Sequence, residues 1–297
     1  MKKIAIVGPG AIGRLFAGVL VSGGHRPVFV CRREEQAQAF LQDGLAFVNL
    51  AGEEHRLDVS AVTGDVPSDA DAVLLTVKSY DTHTAAQKLP ANIPVLSLQN
   101  GLGNGETLAR HLDPTQLALG LTTHGATSDG NTQVHYKGAG QTVLGDWDLL
   151  PEKNSPAHWW AELFTSCGHA VTLSEDIRTE VWKKAMVNIG INPFTALHRK
   201  KNGELLDSPS LLRIMRLTVE EAEAIARGEG VHLTNSFDRV LDVCRQTSAN
   251  TSSMLQDVLA GRRTEIESLC GVIESFGHKQ GVKTPYNTAM LELVRAL

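Results

Sequence analysis

The chain has 297 residues, with 28 lysines and arginines against 33 aspartates and glutamates, and a pI near 6.1. This balance excludes the basic surplus expected of a nucleic-acid-binding protein. No stretch approaches the ~20 apolar residues that span a membrane. The length is sufficient for two domains, and four widely spaced cysteines without a CxxC pair are typical of reduced thiols in a cytoplasmic protein rather than of a metal site.

The first predicted elements are an apolar strand at residues 3–7 and an amphipathic helix at residues 11–21. Between them, Gly8-Pro9-Gly10-Ala11-Ile12-Gly13 forms a GxGxxG pattern. In a dinucleotide site these glycines permit a tight turn, backbone approach to a pyrophosphate, and close packing of helix on sheet. The helix N-terminus supplies N–H groups for the phosphates. A merely glycine-rich turn is the alternative, but the position between strand and helix favours a dinucleotide site.

The second predicted strand, residues 27–30, indicates which dinucleotide is bound. It is followed by Cys31-Arg32-Arg33, and no acidic residue occurs before Glu34. An NAD site usually places Asp or Glu here to bind the ribose 2′-hydroxyl, whereas arginine accommodates a 2′-phosphate. The alternative is a solvated basic turn. The sequence therefore predicts NADPH, with Arg32 at its 2′-phosphate.

Strands and helices then alternate, which predicts a mostly parallel sheet. Further strands are predicted at 72–77, 94–98 and 117–121, with helices at 81–89 and 105–111 between them. Residues 132–136 and 142–144 have the pattern of an antiparallel hairpin, and 171–173 is the last predicted strand. From Ser174 onward the apolar periodicity is helical. We therefore expect an α/β Rossmann-type domain at 1–173 and an all-α domain at 174–297.

Polar residues follow three of these strands at the points where the strands end. They are Lys78, Asn100-Gly101 and the run Thr122-Thr123-His124. Ligands of open parallel sheets bind outside the carboxyl ends of the strands. Each residue has an alternative role as a helix cap or turn residue, but their coincidence favours a binding site.

In the helical half, Lys184, Asn188 and Asn192 recur every four residues and form one polar stripe on an otherwise apolar helix. A solvated face is the alternative, but such a face normally carries Glu, Lys and Arg, and asparagine is a poor helix former. The stripe therefore predicts a lined cavity.

A second group of polar residues lies further along the helical half. Ser253 and Asp257 share a helix face, and Glu265 precedes the last long apolar face. Taken alone, Ser252 or Ser253 is typical of a helix N-cap, and Glu265 is typical of an acidic residue that the helix dipole stabilises in the first turn. Beside the predicted cavity, Glu265 becomes a plausible partner for the lysine.

Several motifs occur in a fixed order over nearly the whole chain. They are the GxGxxG, Thr-Val-Lys at 76–78, Gln-Asn-Gly at 99–101, Trp-x-Lys-x-x-x-Asn-x-x-x-Asn-Pro at 182–193, Asn-Gly-Glu-Leu at 202–205, Ser-Ser-Met-Leu-Gln-Asp at 252–257 and Thr-Glu at 264–265. This ordered set resembles the ketopantoate reductase family. Cys31 before Arg32 and Pro9 between the first two glycines are minor departures.

The resemblance implies roles for individual residues. Lys184 would be the general acid and Glu265 would position it. The implied cofactor-binding residues are Gly8, Pro9, Gly10, Ala11, Ile12, Gly13, Arg32, Lys78 and Asn100. The implied substrate-binding residues are Asn100, Lys184, Asn188, Asn192, Asn202, Ser253 and Glu265. Lys184 and Asn188 would face Gly10 and Asn100 across a cleft between the domains.

The implied activity is NADPH-dependent reduction of 2-dehydropantoate to (R)-pantoate, in pantothenate and coenzyme A biosynthesis. Alternatives are the reduction of another small 2-oxo acid and, in a different class, a non-enzymatic NADPH-binding regulator, which would have no reason to carry the lysine and asparagine stripe. A hydroxyacyl dehydrogenase would need a His/Glu pair and an acidic end to the second strand. We expect a small 2-oxo acid as partner, with no nucleic acid, membrane or metal. The sequence leaves monomer and homodimer both open.

Overall fold

A computed structural model describes residues 1–147 and 155–297 of the protein. These residues divide into two compact units. The first comprises Met1–Gln99 with Asn104–Ile177, and the second comprises Asn100–Gly103 with Arg178–Leu297. The predicted boundary at residue 173 lies a few residues before this division. The short segment Asn100–Gly103 belongs with the helical unit because Leu102 is buried in the helical core.

The first unit is an α/β fold. Its strands are β1 (Lys3–Val7), β2 (Arg26–Cys31), β3 (Leu45–Val48), β4 (Glu54–Leu57), β5 (Ser60–Thr63), β6 (Ala72–Leu75), β7 (Val95–Ser97), β8 (Leu117–Thr122), β9 (Gly125–Asp129), β10 (Gln133–Gly138), β11 (Thr142–Asp146) and β12 (Thr172–Leu173). Its helices are α1 (Ala11–Ser22), α2 (Glu34–Asp43), α3 (Thr82–Ala86), α4 (Asn104–Leu108) and α5 (Pro156–Ser166), with 3-10 turns at Ser79–Asp81 and Pro114–Gln116.

Within the described residues, the main sheet has the strand order β12-β11-β8-β7-β6-β1-β2-β5. Every neighbouring pair is parallel except β8 with β11. The central strands are short apolar runs: Ile4, Ala5 and Ile6 have no exposed surface. A parallel strand is covered by helices on both faces, which is why such runs are continuous rather than alternating. The predicted α/β fold with a mostly parallel sheet is confirmed.

The predicted hairpin of residues 132–136 and 142–144 is wrong. β10 pairs with β3 and β9 in a separate four-stranded sheet, whereas β11 pairs antiparallel with β8 in the main sheet. Between them the chain crosses from one sheet to the other, and Thr123 N–H donates to Gln141 O at 2.9 Å. Two alternating segments joined by a glycine-containing link have the local pattern of a hairpin whichever strands they pair with. Strands β3, β4, β5 and β9 were not predicted.

The second unit is helical. Its helices are α6 (Ile177–His198), α7 (Pro209–Gly228), α8 (Ser236–Gln246), α9 (Ser253–Leu259), α10 (Cys270–Gln280) and α11 (Pro285–Arg295), with 3-10 turns at Gly203–Asp207 and Ile266–Ser268. The core is built from the apolar faces of α6, α7 and α10, and Ile189, Met215 and Ile273 are wholly buried there. No helix in the described ranges is both long enough and apolar enough to cross a membrane.

Candidate active site

The glycine loop of the first unit uses its three glycines for different purposes. Gly8 has φ +100, and a Cβ there would lie 2.6 Å from Val77 N. A Cβ at Gly13 would lie 2.5 Å from the Gly8 carbonyl oxygen, because α1 begins directly above β1. Gly10, by contrast, is exposed, and a Cβ there would meet no atom within 4 Å. The loop is therefore tightly packed on two sides and open at Gly10.

The open side lies at the N-terminus of α1. Gly10 is the N-cap without a side-chain cap, and Ala11 and Ile12 begin the first turn, where N–H groups lack intrahelical acceptors. These N–H groups and the positive end of the helix dipole form an anion site. A pyrophosphate fits this arrangement, because the position that a Cβ would fill at Gly10 is clear.

Two side chains hold the loop in place. Thr76 Oγ1 donates to Gly8 O at 2.6 Å. Arg14, only 3 % exposed, donates from Nε to Pro9 O at 2.8 Å and from Nη1 to Gln133 O at 2.7 Å. Burial lowers the pKa of Arg14 to about 10. Sequence reasoning missed Arg14, although a charged residue on the buried side of a predicted helix is a signal for such an anchor.

Arg32 lies directly after β2, as expected. Its side chain is 85 % exposed, with Nη1 3.9 Å from Asp81 Oδ2. An exposed pair at this distance contributes little stability, so the guanidinium is available to a phosphate at the end of β2. Lys78 precedes the Ser79–Asp81 turn, and its carbonyl oxygen accepts from Asp81 N–H at 2.9 Å.

A network of polar side chains joins the ends of β6 and β7. Gln99 Nε2 donates to Val77 O at 3.0 Å and to Thr82 Oγ1 at 2.7 Å. Thr82 Oγ1 also bonds Asn104 Oδ1 at 2.9 Å, and both residues are buried. Within the Gln-Asn-Gly motif, the glutamine therefore holds the strand ends together.

His124, which follows β8, is held by neighbouring groups. Its Nδ1 accepts from Gly140 N–H at 3.1 Å and bonds Tyr136 Oη at 2.6 Å. Burial lowers the pKa of His124 below its usual range. A neutral imidazole whose Nδ1 is an acceptor is a poor proton donor through that atom.

The helical unit brings most of the predicted substrate residues together. An open pocket of about 280 Å³ is lined by Asn100, Gly101, Asn188, Asn192, Ser253, Met254, Asp257, Glu265, Ser268 and Leu269. Lys184 Nζ donates to Asn100 Oδ1 at 2.7 Å. Asn188 and Asn192 of the polar stripe on α6 thus line a pocket, whereas Lys184 is not among the lining residues and meets the pocket through Asn100. The flanking residues Ala185, Met186 and Ile189 are buried in the helical core.

The ionisation of Lys184 is perturbed in a way that suits proton transfer. Burial lowers the pKa of the lysine to about 8, and the nearby Glu265 carboxylate opposes this shift. A group that donates a proton near neutral pH works best with a pKa close to the operating pH. Burial together with a specific charged partner makes Lys184 a candidate functional residue.

The two serines at the N-terminus of α9 have separate roles. Ser252 is the N-cap, with Oγ accepting from Leu255 N–H at 3.1 Å, and it also bonds Thr195 Oγ1 at 2.7 Å. Ser253, the first residue of the helix, lines the pocket. The structure assigns the cap to one serine and leaves the other for the pocket.

Asn202 is not among the residues that line the pocket. Its side chain is buried, and Nδ2 donates to Thr247 Oγ1 at 2.8 Å, while its N–H donates to Asn250 O. In this position it ties the turn after α6 to the segment that follows α8.

Asp257 lines the pocket but was not among the predicted site residues. It is 5 % exposed, and its Oδ1 accepts from Arg262 Nε at 3.0 Å. A buried carboxylate needs a compensating cation, and Arg262 supplies one. The available signal was its spacing, four residues from Ser253 on the same helix face.

Comparisons with known proteins identify the family of the chain. The family model described as ketopantoate reductase PanE/ApbA matches residues 4–148, and the model of its C-terminal part matches residues 176–297. Proteins named 2-dehydropantoate 2-reductase from Halobacterium salinarum and Archaeoglobus fulgidus are 34 % and 35 % identical to the chain. The alignments cover 99 % and 100 % of this chain and 98 % of each relative.

Two solved structures are similar to the chain over nearly its full length. A ketopantoate reductase of the PanE/ApbA family from Ralstonia eutropha is 31 % identical, with a TM-score of 0.88, covering 99 % of this chain and 97 % of that one. A D-mandelate dehydrogenase in a ternary structure with NADH and anilino(oxo)acetate is 26 % identical, with a TM-score of 0.91 and the same coverage. Two family models that together match well over half of the residues, with relatives above 30 % identity over the full length, place this chain in the ketopantoate reductase family.

Proposed function

We propose that the protein reduces 2-dehydropantoate to (R)-pantoate with NADPH. The observation that carries this proposal is the Lys184 ammonium, which bonds Asn100 beside a pocket lined by Asn188, Asn192 and Ser253. This combination offers a proton donor and neutral hydrogen-bond donors for a small oxo acid.

The cofactor role rests on the first unit. The open backbone at Gly10 and the first turn of α1 would hold the pyrophosphate, and Arg32 would pair with the 2′-phosphate. Lys78 would border the nicotinamide end. When bound, the reduced nicotinamide supplies a hydride to the C2 carbonyl carbon of the oxo acid. The reaction requires this carbonyl and the nicotinamide to meet.

The second unit supplies the proton and the electrostatics. Negative charge develops on the C2 oxygen as the carbonyl is reduced, and the Lys184 ammonium stabilises that charge and then transfers its proton to the oxygen. Asn100 Oδ1, 2.7 Å from Nζ, orients the ammonium. Glu265 favours the protonated form of the lysine.

The pocket also offers partners for the carboxylate, the hydroxyl and the methyl groups of the substrate. The amides of Asn188 and Asn192 and the hydroxyl of Ser253 are donors for the carboxylate and hydroxyl oxygens. Met254 and Leu269 form an apolar side that suits the substrate's two methyl groups.

Reduction of an aryl 2-oxo acid is a second candidate, favoured by the similarity to the D-mandelate dehydrogenase structure. That protein was solved with NADH, so both nicotinamide cofactors belong in the test.

The experiment is a steady-state assay of cofactor oxidation with 2-dehydropantoate, 2-oxoisovalerate, which lacks the hydroxymethyl group, and phenylglyoxylate. We expect the highest kcat/KM with 2-dehydropantoate and NADPH. The highest value with phenylglyoxylate would favour the second candidate. No oxidation with any oxo acid, although NADPH binds, would favour a non-enzymatic NADPH-binding protein.

A further inference from the structure

Ser268 contacts the segment Asn100–Gly103, which carries Asn100. Leu102 N–H donates to Ser268 O at 2.7 Å, and the Leu102 side chain is buried in the helical core. Gly101 has φ +84, and a Cβ there would lie 2.6 Å from Ser268 Cβ and 2.7 Å from Ser268 O. The glycine is therefore required both by its backbone conformation and by the closeness of Ser268.

The same serine fixes the backbone of Glu265. Ser268 Oγ donates to Glu265 O at 2.9 Å, and Ser268 N–H donates to the same oxygen at 3.1 Å. These bonds close the 3-10 turn Ile266–Ser268 and leave Ser268 only 5 % exposed. A buried residue with these contacts has little freedom to move.

Lys184 is the group on which these two contacts converge. Its Nζ donates to Asn100 Oδ1 at 2.7 Å, and it interacts electrostatically with Glu265. We propose that Ser268 is a positioning residue for the reduction, because its carbonyl oxygen and hydroxyl together fix Asn100 and Glu265 about the Lys184 ammonium. This inference rests on the proposed role of Lys184 as the proton donor.

A positioning role of Ser268 and a role as part of the pocket lining have different consequences for the ionisation of Lys184. If Ser268 were only part of the wall, its hydroxyl would affect substrate affinity and leave the ionisation of Lys184 unchanged. If the hydroxyl positions Glu265, its loss weakens the interaction of Glu265 with Lys184 that favours the protonated lysine, while the backbone bond from Leu102 N–H to Ser268 O remains. The lysine pKa then falls, and the pH above which reduction slows falls with it.

The test compares Ser268→Ala and Gly101→Ala with wild type, measuring kcat, KM and the pH profile of kcat/KM at saturating NADPH. Ser236→Ala is the matched control, because Ser236 is 6 % exposed, lies in the same unit, and bonds Glu223 Oε1 at 2.7 Å away from the pocket residues. Thermal unfolding of each variant reports whether it folds. If Gly101→Ala does not fold, Ser268→Ala carries the test alone.

We expect Ser268→Ala to lower kcat about 2- to 10-fold and to move the alkaline fall of kcat/KM about half a unit to one unit lower in pH. KM for NADPH should not change. A rise in the oxo-acid KM with an unchanged pH profile would overturn the proposal, as would a Ser268→Ala profile equal to that of Ser236→Ala. A Lys184→Ala variant that keeps its kcat would instead overturn the proposed function itself.

Discussion

At the scale of single residues, Lys184 and Lys183 provide a comparison within one helix. They are adjacent but point about 100° apart around α6. Lys184 bonds Asn100, whereas Lys183 forms an ion pair with Glu180 at 2.7 Å. We expect Lys184→Ala to lower kcat about 10²- to 10⁴-fold, the usual contribution of a general acid, with little change in NADPH affinity.

Lys183→Ala is the matched control and should be nearly silent in the same steady-state assay. Glu265→Ala should give a milder loss than Lys184→Ala, with a larger share in KM. If the two lysine variants behave alike, the proton comes from another group, and His124→Ala is the next variant to measure.

The pKa of Lys184 also predicts the pH dependence of the reaction. In the proposed reaction the protonated lysine is the active form for reduction, and burial lowers its pKa to about 8. Reduction should therefore be fully active below this pH and should fall as pH rises through about 8, while oxidation of pantoate should rise over the same range. The profile of kcat/KM in both directions measures this. A reduction rate that stays constant up to pH 10 would contradict the assignment.

Arg32 determines the expected cofactor preference. A charge-assisted bond to a phosphate contributes about 1.5–3 kcal/mol, which corresponds to one to two decades in affinity. Arg32→Ala should therefore lower kcat/KM for NADPH about 10- to 100-fold and leave the value for NADH nearly unchanged. NADH thus serves as the internal control. An unaltered ratio between the two cofactors would show that Arg32 does not contact the 2′-phosphate.

At the scale of elements, two glycines of the β1–α1 turn are expected to have different roles. Gly10 should affect cofactor binding, and Gly13 should affect the stability of the fold. Gly10 has φ −78 with open space around it, so Gly10→Ala should fold normally but bind NADPH about tenfold or more weakly, since its methyl group occupies the phosphate approach. Gly13→Ala places a Cβ 2.5 Å from Gly8 O and should lower the free energy of unfolding by about 1–3 kcal/mol.

Thermal unfolding and cofactor titration of the two variants measure this difference. Equal losses of stability would contradict the separate roles of the two glycines.

The helices and strands also show which features of the fold local sequence patterns can predict. The strand at residues 3–7, the helix from Ala11 and the stripe on α6 all follow from apolar periodicity, since the period fixes which face of an element is buried. The short strands β3, β4 and β5 were missed because four residues carry little periodicity. Arg14 was missed because one of the carbonyl oxygens that fix its guanidinium, that of Gln133, is distant in sequence.

For the whole molecule, the burial of Lys184 has a consequence for the free energy of unfolding. The pKa of Lys184 falls from 10.5 to about 8 on folding, so between these pH values the unfolded chain binds more protons than the folded protein. Wild-type stability, relative to Lys184→Met, should therefore rise by about 3 kcal/mol from pH 8 to pH 10.5 and stay level below pH 8.

Denaturant unfolding of both proteins across this pH range measures the effect. Lys183→Met is the matched control, because Lys183 is the neighbouring residue on α6 and forms its own ion pair with Glu180. A constant difference between wild type and Lys184→Met would mean that the lysine ionises in the folded protein as it does in the unfolded chain.

Four features were predictable from residue type and spacing alone: the glycine loop, the basic end of β2, the helical second half and the polar stripe of Lys184, Asn188 and Asn192. These features depend on residue type and short spacing, which local backbone geometry converts directly into turns and faces. Only the tertiary structure decided which strands β10 and β11 pair with, which serine caps α9, and that Asn202 is not in the pocket. It also decided that Asn100 joins the helical unit, where it meets Lys184. A local pattern of residues indicates which face of a helix or strand must be buried, but it does not indicate which distant segment packs against that face.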